Sequence, residues 1–321
     1  MNRMINVGII GTGRMAKFHL EVLNAFRNVN IQAIASTKRG KKRRIEMCQE
    51  YNIPNQYSDY NDMLERGNLD AVFIVVNIEK IFSIAKGCLT YGINSFIEKP
   101  PGLFAKETRE LARIAKEQNV VNMVGLQRRF YSHFLYAKNF LDSNGGLCSI
   151  VVEAPERFDE IKKKGKFSKL VLSRWLIANG IHCVDLLQYF GGKIENVIMM
   201  NNSWNESIHP DSLHAIVKFK NGVIGHYFSN WMSPGGWSVK LYGESFRIDI
   251  QPLERGYAIF SDGKKFDLPI EEADRKYKPG VYAQDHFFLE VCRGKKALGF
   301  PAATLHDVSV TMGLAEDLMS A

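Results

Sequence analysis

The sequence lacks the features that mark disulfide-rich, zinc-binding and membrane-spanning proteins. Its 5 cysteines are far apart and include no C-x-x-C pair, so neither a disulfide framework nor a metal site is predicted, and we expect reduced thiols in a cytoplasm. No apolar run approaches the length of a membrane span. Glycines interrupt the apolar stretch at the N-terminus, so no signal peptide is predicted there. The cysteines are Cys48, Cys88, Cys148, Cys183 and Cys292.

Acidic residues are in the minority. Lys and Arg total 42 against 34 Asp and Glu, which gives a formal net charge of +8. A net positive charge is compatible with binding to nucleic acid or to any phosphorylated ligand, and by itself it does not discriminate between the two. The 45% hydrophobic and 24% charged residues are typical of a soluble globular protein, and a length of 321 residues predicts two domains, each with its own core.

Glycines cluster near the N-terminus, between a strand-like apolar run and a helix-like run. The stretch 7–16 reads VGIIGTGRMA. Gly11 permits a tight turn, Gly13 lets the backbone approach a phosphate, and Ala16 is small enough for the helix to pack on the strand. Glycines also mark ordinary turns, but the order of strand, glycine turn and helix is what a dinucleotide pyrophosphate needs. We therefore predict that a dinucleotide cofactor contacts Gly11, Thr12, Gly13, Arg14 and Met15.

No acidic residue follows the second predicted strand until Glu46, although an NAD-binding unit usually places one there to bind the ribose hydroxyls. Small hydroxyl side chains stand there instead, and 6 of the 7 residues from Lys38 are basic. This composition is also compatible with a solvated helix start or with a nuclear-localisation or nucleic-acid patch. We predict NADP(H) as the cofactor, NAD(H) as its alternative, and no nucleic-acid partner. The predicted ribose-phosphate ligands are Ser36, Thr37, Lys38 and Arg39.

The first 124 residues alternate strand-like and helix-like segments. Apolar runs predict strands at 5–10, 31–35, 71–76, 95–97 and 120–124. Amphipathic stretches predict helices at 44–51, 81–91 and 108–118. Strands that alternate with helices of this length form a parallel sheet with both faces covered. We predict the α/β class, with a parallel, doubly wound Rossmann sheet at 1–124.

After residue 124 the pattern changes from alternation to paired strands. Asn221-Gly222 lies between two runs of period two, 213–219 and 223–229, and so predicts a hairpin. Asp262-Gly263 predicts a second hairpin between 257–260 and 264–268. A strand is expected at 149–158, and helices at 132–143, 178–190, 283–293 and 303–319. We therefore predict a second α/β domain at 125–321 with a mostly antiparallel sheet.

A lysine stands at the carboxyl end of a predicted parallel strand, in the run Glu98-Lys99-Pro100. Ligands of open α/β sheets bind at that edge. A lysine there can donate to a substrate oxygen, or act as a general acid/base if a neighbouring cation depresses its pKa. The alternative is a surface lysine before a proline-ended turn.

Four sequence elements together resemble the GFO/IDH/MocA oxidoreductases, the family of glucose–fructose oxidoreductase and inositol dehydrogenase. They are the glycine loop, the Glu-Lys-Pro run that follows Gly92, GLQRRF at 125–130, and GIHCVDLL at 180–187. The resemblance covers nearly the whole chain. It implies a Rossmann domain followed by a domain with a large open sheet. It also implies hydride transfer between nicotinamide and a hydroxyl-bearing carbon of a sugar, a cyclitol or a nucleotide- or phospho-sugar derivative.

The resemblance also assigns roles to individual residues. Lys99 would contact the reacting oxygen and the nicotinamide ribose, and His182 would be the acid/base or its substrate-orienting partner, which suits a side chain that changes charge near neutral pH. Asp185 would lie on the same helix face and fix the tautomer of His182. When His182 is considered without the other motifs, the alternative to a catalytic role is a buried core histidine. Further cofactor contacts are expected from Asn77, Glu98, Lys99 and Gln127.

Two departures from the family pattern stand near these residues. The family commonly carries an acidic residue four positions before the histidine, where this chain has Ala178. Asn179 is adjacent, but on a regular helix its side chain would point elsewhere. Catalysis would then depend on Lys99 and His182. Asn77 stands in an altered segment and is still expected to line the cofactor.

The substrate is expected to be sugar-like and to include an anionic group. The guanidinium groups of Arg128 and Arg129 suit phosphate and carboxylate, and Arg174 stands just before the predicted histidine helix. The lysine-rich loop at 162–166 can also reach such a ligand, and the alternative is a flexible, solvated loop. Predicted substrate contacts are Lys99, Arg128, Arg129, Trp175, Asn179 and His182. Apolar side chains on the second sheet suggest a homodimer or homotetramer. The alternative function, favoured by Ala178, is a non-catalytic dinucleotide-binding regulator on the same fold.

Overall fold

The computed structural model describes residues 3–204 and 210–321. The chain divides into two compact units. The first comprises Met1–Phe130 and Glu272–Ser309, and the second comprises Tyr131–Glu271 and Val310–Ala321. This division differs from the expected domains 1–124 and 125–321, because the segment 272–309 belongs to the first unit.

The strands of the described residues form two sheets. In chain order they are β1 Ile5–Ile10, β2 Val29–Ala35, β3 Asn55–Tyr57, β4 Ala71–Ile74, β5 Asn94–Ile97, β6 Asn122–Val124, β7 Ser149–Glu153, β8 Ile194–Asn202, β9 Ser212–Phe219, β10 Ile224–Asn230, β11 Ser238–Tyr242, β12 Phe246–Ile250, β13 Gly256–Phe260 and β14 Lys265–Asp267.

The α-helices of the described residues fall on both sides of residue 130. They are α1 Arg14–Leu23, α2 Lys41–Glu50, α3 Tyr60–Arg66, α4 Ile78–Tyr91, α5 Ala105–Glu117, α6 Ser132–Ser143, α7 Phe158–Lys163, α8 Lys169–Ser173, α9 Ile181–Gly191, α10 Glu272–Lys276, α11 Val281–Cys292 and α12 Leu305–Ser320. Within the described ranges, no helix combines the length and apolarity needed to cross a membrane.

The sheet of the first unit has the order β3-β2-β1-β4-β5-β6, and all of its described pairings are parallel. The order reverses between β1 and β4, so the crevice that binds ligands in doubly wound sheets opens at the carboxyl ends of these two strands. The predicted Rossmann architecture is confirmed.

Helix α11 explains why the segment 272–309 belongs to the first unit. The ring of Phe288 packs edge-on against Phe73 and Phe96, with ring centroids 5.4 and 5.8 Å apart. Asp285, on the same helix, accepts a hydrogen bond from His19 of α1 at 2.7 Å. The sequence could not show this return of the chain, since a helix that follows an antiparallel sheet in sequence gives no sign of which core it covers.

The sheet of the second unit has the order β14-β13-β12-β11-β7-β10-β9-β8. The β7–β10 pairing is parallel and the other described pairings are antiparallel, which confirms the mostly antiparallel prediction. Both predicted hairpins are present. Gly222 and Gly263 turn the chain with φ of +88° and +84°, in the left-handed region that favours glycine.

Several elements of the second unit differ from the sequence-based expectation. The strand expected at 149–158 ends at Glu153, and Pro155, which has no N–H to donate, follows shortly after it. The helix expected from residue 178 begins at Ile181 and is preceded by a π-helical turn at Leu176–Gly180. Three strands of this unit, β8, β11 and β12, have no predicted counterpart, and neither does β3 of the first unit.

Candidate functional site

A cavity of about 1180 Å³ lies at the carboxyl edge of the parallel sheet. It is lined from β1, β2 and the turns that follow β3, β4 and β5, which is the place where open α/β sheets bind ligands. Its lining includes eleven of the thirteen predicted cofactor contacts: Gly11, Thr12, Gly13, Arg14, Met15, Ser36, Thr37, Lys38, Arg39, Asn77 and Glu98.

The two glycines of the N-terminal loop are glycine for different reasons. Gly11 has φ +120°, and a Cβ on it would lie 2.4 Å from the carbonyl oxygen of Val75, so the backbone itself requires glycine. Gly13 has φ −82°, and a Cβ on it would meet no atom within 4 Å. Neither backbone strain nor crowding therefore requires glycine at position 13, and the open space beside it leaves room for the phosphate that the sequence predicts there. The residues present fit a dinucleotide.

The turn after β2 is held against the glycine loop. The Arg44 guanidinium is buried and donates to the backbone carbonyl and, at 3.0 Å, to the hydroxyl of Ser36. A Cβ on Gly40 would lie 2.7 Å from Thr12 Oγ1 and 2.8 Å from Ser36 Oγ, so the side chains of Thr12 and Ser36 occupy the space beside position 40. This packing positions the Lys38 and Arg39 side chains at the cavity.

The charges along the cavity favour an anionic ligand. Five basic side chains contribute to the lining, at Arg14, Lys38, Arg39, Arg43 and Lys80, against three acidic ones, at Asp59, Glu79 and Glu98. Burial raises the pKa of the Glu98 carboxyl group, and the charges of Lys99 and His19 only partly oppose that shift. The neutral form of Glu98 is therefore favoured more than in an exposed carboxyl group.

Lys99 and Gln127 are not among the cavity-lining residues. Lys99 follows Glu98 at the end of β5 and is half-buried. Gln127 begins a short 3₁₀ turn and is buried, and its Oε1 has no hydrogen-bond partner in the part of the chain that the structure describes. An unsatisfied buried acceptor calls for a partner, which a bound ligand can provide.

His182 lies in the first turn of α9 in the second unit and is buried. Asp185, one turn further on, is also buried and accepts a hydrogen bond from the hydroxyl of Thr311 at 3.5 Å. The expected role of Asp185 in fixing the tautomer of His182 stays a prediction.

Two predicted site residues, at and just before the π-helical turn that precedes α9, donate to one carboxylate. Trp175 donates from its indole nitrogen to Glu156 Oε2 at 2.7 Å, and Asn179 donates from its amide to the same oxygen at 2.9 Å. Asn179 lies in this π-helical turn and not on the regular helix that the sequence predicts, so helical periodicity could not indicate its contact with Glu156.

The arginines expected near an anionic substrate are partly engaged elsewhere. The Arg129 guanidinium is buried and donates to the carbonyl oxygen of Ala302 at 3.4 Å. Arg174 forms an ion pair with Glu316. Arg128 is half-buried in the same 3₁₀ turn as Arg129. The paired Arg174 therefore adds little positive charge for a substrate.

Sequence reasoning missed several residues of both regions. Arg43 and Asp59 line the cavity, and Glu156 binds the segment before α9. Arg43 belongs to the same basic run as the predicted residues Lys38 and Arg39, so the same reasoning could have included it. Asp59 follows β3, a short polar strand that hydrophobic periodicity does not reveal. No cluster of potential metal ligands occurs among residues 3–204 and 210–321.

A Rossmann sheet with a glycine loop and a basic cavity at its switch point defines a dinucleotide-binding α/β protein. Residues 5–126 match the oxidoreductase family with the NAD-binding Rossmann fold, and residues 154–249 match the GFO/IDH/MocA C-terminal domain. The chain therefore belongs to the GFO/IDH/MocA oxidoreductase family, which confirms the resemblance seen in its motifs.

Similar proteins cover most of the chain. It is 24% identical over 318 residues to the uncharacterized oxidoreductase YrbE of Bacillus subtilis (strain 168), covering 93% of this chain and 88% of that one. It is 22% identical over 273 residues to the myo-inositol 2-dehydrogenase of Thermotoga maritima, covering 80% and 78%. The structure of levoglucosan dehydrogenase in complex with NADH has a TM-score of 0.82 at 17% identity, covering 99% and 96%.

Proposed function

We propose that the protein is an NADP(H)-dependent dehydrogenase that acts on a hydroxyl-bearing carbon of a sugar, a cyclitol or a sugar derivative. Membership of an NAD-binding oxidoreductase family supports hydride transfer, and the myo-inositol 2-dehydrogenase relative supports the substrate class. The basic end of β2 at the cavity is the observation that carries the choice of cofactor.

A 2′-phosphate fits the surroundings of Ser36 better than free ribose hydroxyls do. Thr37, Lys38, Arg39 and Arg43 share that side of the cavity lining. Arginine binds phosphate with several directed donors, and lysine adds charge. The acid that usually receives the ribose hydroxyls is missing after β2, so NADH gains no corresponding hydrogen bonds.

NADPH is expected to bind more tightly than NADH. Arg39→Ala should weaken NADPH binding about 10-fold, the effect of one charge-assisted hydrogen bond, and leave NADH binding nearly unchanged. Added salt should narrow the difference between the two cofactors, because salt screens exposed charges. Fluorescence titration of both cofactors measures the dissociation constants. Lys42→Ala is the matched control, since Lys42 is exposed and is not part of the cavity lining. Equal affinities, or tighter binding of NADH, would contradict the proposal.

Gly13→Val is expected to abolish dinucleotide binding while the fold is kept. Position 13 has an ordinary φ and open space beside it, so valine fits the protein but occupies the room that the pyrophosphate needs. Titration with NADPH and a thermal unfolding curve measure the two effects separately. Normal NADPH binding by this variant would show that the loop is only a turn.

In this proposal Lys99 binds the reacting oxygen and His182 takes or returns its proton. When bound, the nicotinamide supplies or accepts the hydride. Lysine is a fixed donor for a developing alkoxide, and histidine changes charge near neutral pH, so the two side chains suit these separate tasks. Asn179 and Trp175 are the proposed substrate-side neighbours of His182.

We further propose that the chain forms a homodimer or homotetramer through the outer face of the second sheet. Ile198 and Met200 on β8 are 60% and 65% exposed, and Ile216 beside them on β9 is 44% exposed. Contiguous exposed apolar side chains of this kind mark interaction surfaces.

The five cysteines form no disulfide bond with one another, which supports a reducing compartment. For that compartment we propose the cytoplasm.

A further inference from the structure

A buried pair of titratable side chains lies on the helix that follows the glycine loop. His19 of α1 and Asp285 of α11 are fully buried, and the imidazole Nδ1 donates to the carboxylate Oδ2 at 2.7 Å. The Gln284 amide donates to the other carboxylate oxygen at 3.4 Å. The rings of Phe73 and Phe96 pack against the imidazole. The pair is therefore separated from bulk water, so a change in its charge is poorly screened.

Helix α1 carries this pair close to the predicted pyrophosphate site. Gly13, Arg14 and Met15 line the cavity, and Gly13 has no side chain that could cap the first amides of the helix. His19 comes five residues after Arg14, which is about 7.5 Å along the helix axis. A charge at this distance acts on an anion bound at the start of α1.

Glu98 connects the pair to the wall of the cavity. Its side chain is part of the cavity lining, and a Cβ on Gly125 would lie 2.9 Å from its Oε2, so the carboxyl group lies beside the backbone of Gly125. The charges of Glu98 and His19 act on each other. The charged groups that act on His19 are Asp285 of α11, Glu98 at the end of β5, and Lys278 before α11.

The proton on His19 sets the charge of this part of the molecule. Burial disfavours the charged imidazole, but the charge and hydrogen bond of Asp285 and the charge of Glu98 outweigh it, so the pKa of His19 is raised above 6.5. Below the raised pKa, the imidazolium neutralises the Asp285 carboxylate. Above it, the carboxylate keeps its charge while the imidazole is neutral, which leaves one negative charge near a site for an anionic ligand.

We propose that the His19–Asp285 pair is a proton-linked part of the cofactor site, so that dinucleotide binding weakens when the pair loses its proton. The inference rests on the proposed dinucleotide binding in the cavity and adds its dependence on pH. By linkage, a bound dinucleotide favours the protonated pair to the same extent. One unit charge at about 10 Å and an effective dielectric constant of about 20 corresponds to about a 10-fold change in affinity.

The first test is the pH dependence of NADH binding by the wild type. NADH is the probe because the 2′-phosphate of NADPH itself titrates near pH 6. Fluorescence titration should show a dissociation constant that rises about 10-fold as the pH increases from about 6.5 to 9. Added salt should leave most of this rise in place, because a buried pair is screened much less than the exposed basic side chains after β2.

Asp285→Asn separates the charge of the pair from its structural role. This variant lacks the charge that remains when His19 is neutral. Its dissociation constant for NADH should therefore stay constant over the same pH range, at the value that the wild type has near pH 6.5. His286→Gln is the matched control and should keep the rise, since His286 is exposed on the same helix, contacts Phe26 and does not line the cavity.

Calorimetry measures the linked proton in the wild type without a substitution. The enthalpy of NADH binding is determined in HEPES and in Tris at the midpoint of the pH curve, and its difference between the buffers gives the number of protons exchanged. We expect net uptake of protons by the wild type and by His286→Gln, and none by Asp285→Asn. Thermal unfolding of each variant shows whether it is folded under these conditions.

Four results would overturn the inference. They are wild-type affinity for NADH that is constant with pH, affinity that increases with pH, an undiminished rise of the dissociation constant in Asp285→Asn, and weaker binding by that variant at every pH. A rise that is lost in Glu98→Gln and kept in Asp285→Asn would assign the proton to Glu98 and also overturn it. All of these leave dinucleotide binding intact, whereas absence of NADH and NADPH binding at every pH overturns the proposed function itself.

Discussion

Lys99→Met is expected to lower kcat about 10²–10⁴-fold, the usual effect of losing a positioned acid/base group, with NADPH affinity largely retained. Methionine keeps the length of the side chain but cannot donate a hydrogen bond to the reacting oxygen. Lys99 is not part of the cavity lining, so the cofactor contacts at the glycine loop and at β2 remain. Initial rates with a turned-over sugar or cyclitol, together with NADPH titration, measure the two quantities.

The corresponding change at His182 tests the other half of the proposal. His182→Gln should lower kcat over the same range, since glutamine keeps polar atoms but cannot exchange a proton near neutral pH. Lys116→Met, on the exposed side of α5, is the control for removal of a lysine charge. Full turnover by Lys99→Met would remove the lysine from the mechanism. A wild type that binds NADPH but turns over no sugar or cyclitol would support the regulator alternative.

Asp285→Ala is expected to lower the free energy of unfolding of the first unit by about 3–5 kcal/mol. Asp285 and His19 are both fully buried and hydrogen-bonded at 2.7 Å. The Phe73 and Phe96 rings pack against His19, with ring centroids 5.4 and 5.0 Å away, so little water can replace the lost carboxylate. Asp142→Ala removes an exposed i,i+4 pair with Lys138 and should cost about 0.3–0.5 kcal/mol.

The contribution of this pair should depend on pH. Burial lowers the pKa of His19, but the charge and the hydrogen bond of Asp285 outweigh it, so the pKa is raised above 6.5. Because the pKa of His19 is raised in the folded state, the pair contributes its full stabilisation below pH 6.5. This contribution is lost as the pH rises through the pKa that His19 has in the folded protein. Asp285→Asn keeps a hydrogen-bond acceptor but loses the charge. The difference in free energy of unfolding between wild type and this variant should therefore become smaller above pH 6.5.

Urea unfolding at several pH values measures both effects. All 4 tryptophans of the chain lie in the second unit, so tryptophan fluorescence follows that unit, while far-UV circular dichroism follows both. A shift of the circular dichroism transition is expected for the Asp285 variants. Two results would contradict a stabilising role of the buried His19–Asp285 pair. One is a loss of free energy of unfolding in Asp285→Asn that grows with pH, and the other is a loss in Asp285→Ala no larger than that of Asp142→Ala.

Local patterns were sufficient for the elements that carry strong periodicity. The glycine loop, the Asn221-Gly222 hairpin and the alternating order of strands and helices up to residue 124 were all predictable, because each depends on residues close together in the chain. The short polar strand β3 was not predictable, since its pairing with β2 gives it order that its own composition lacks. Asp59, which follows it, was missed for the same reason.

The sequence by itself determined the family, the parallel character of the first sheet, the mostly antiparallel character of the second and many of the residues that line the cavity, since glycine φ preferences, alternation and basic composition act locally. Only the tertiary structure decided which unit the segment 272–309 joins, because that depends on the packing of Phe288 and Asp285 against residues more than half a chain away. It also decided the surroundings of Asn179. A π-helical turn and a carboxylate at Glu156 set the direction of that amide, and neither is visible until the chain has folded.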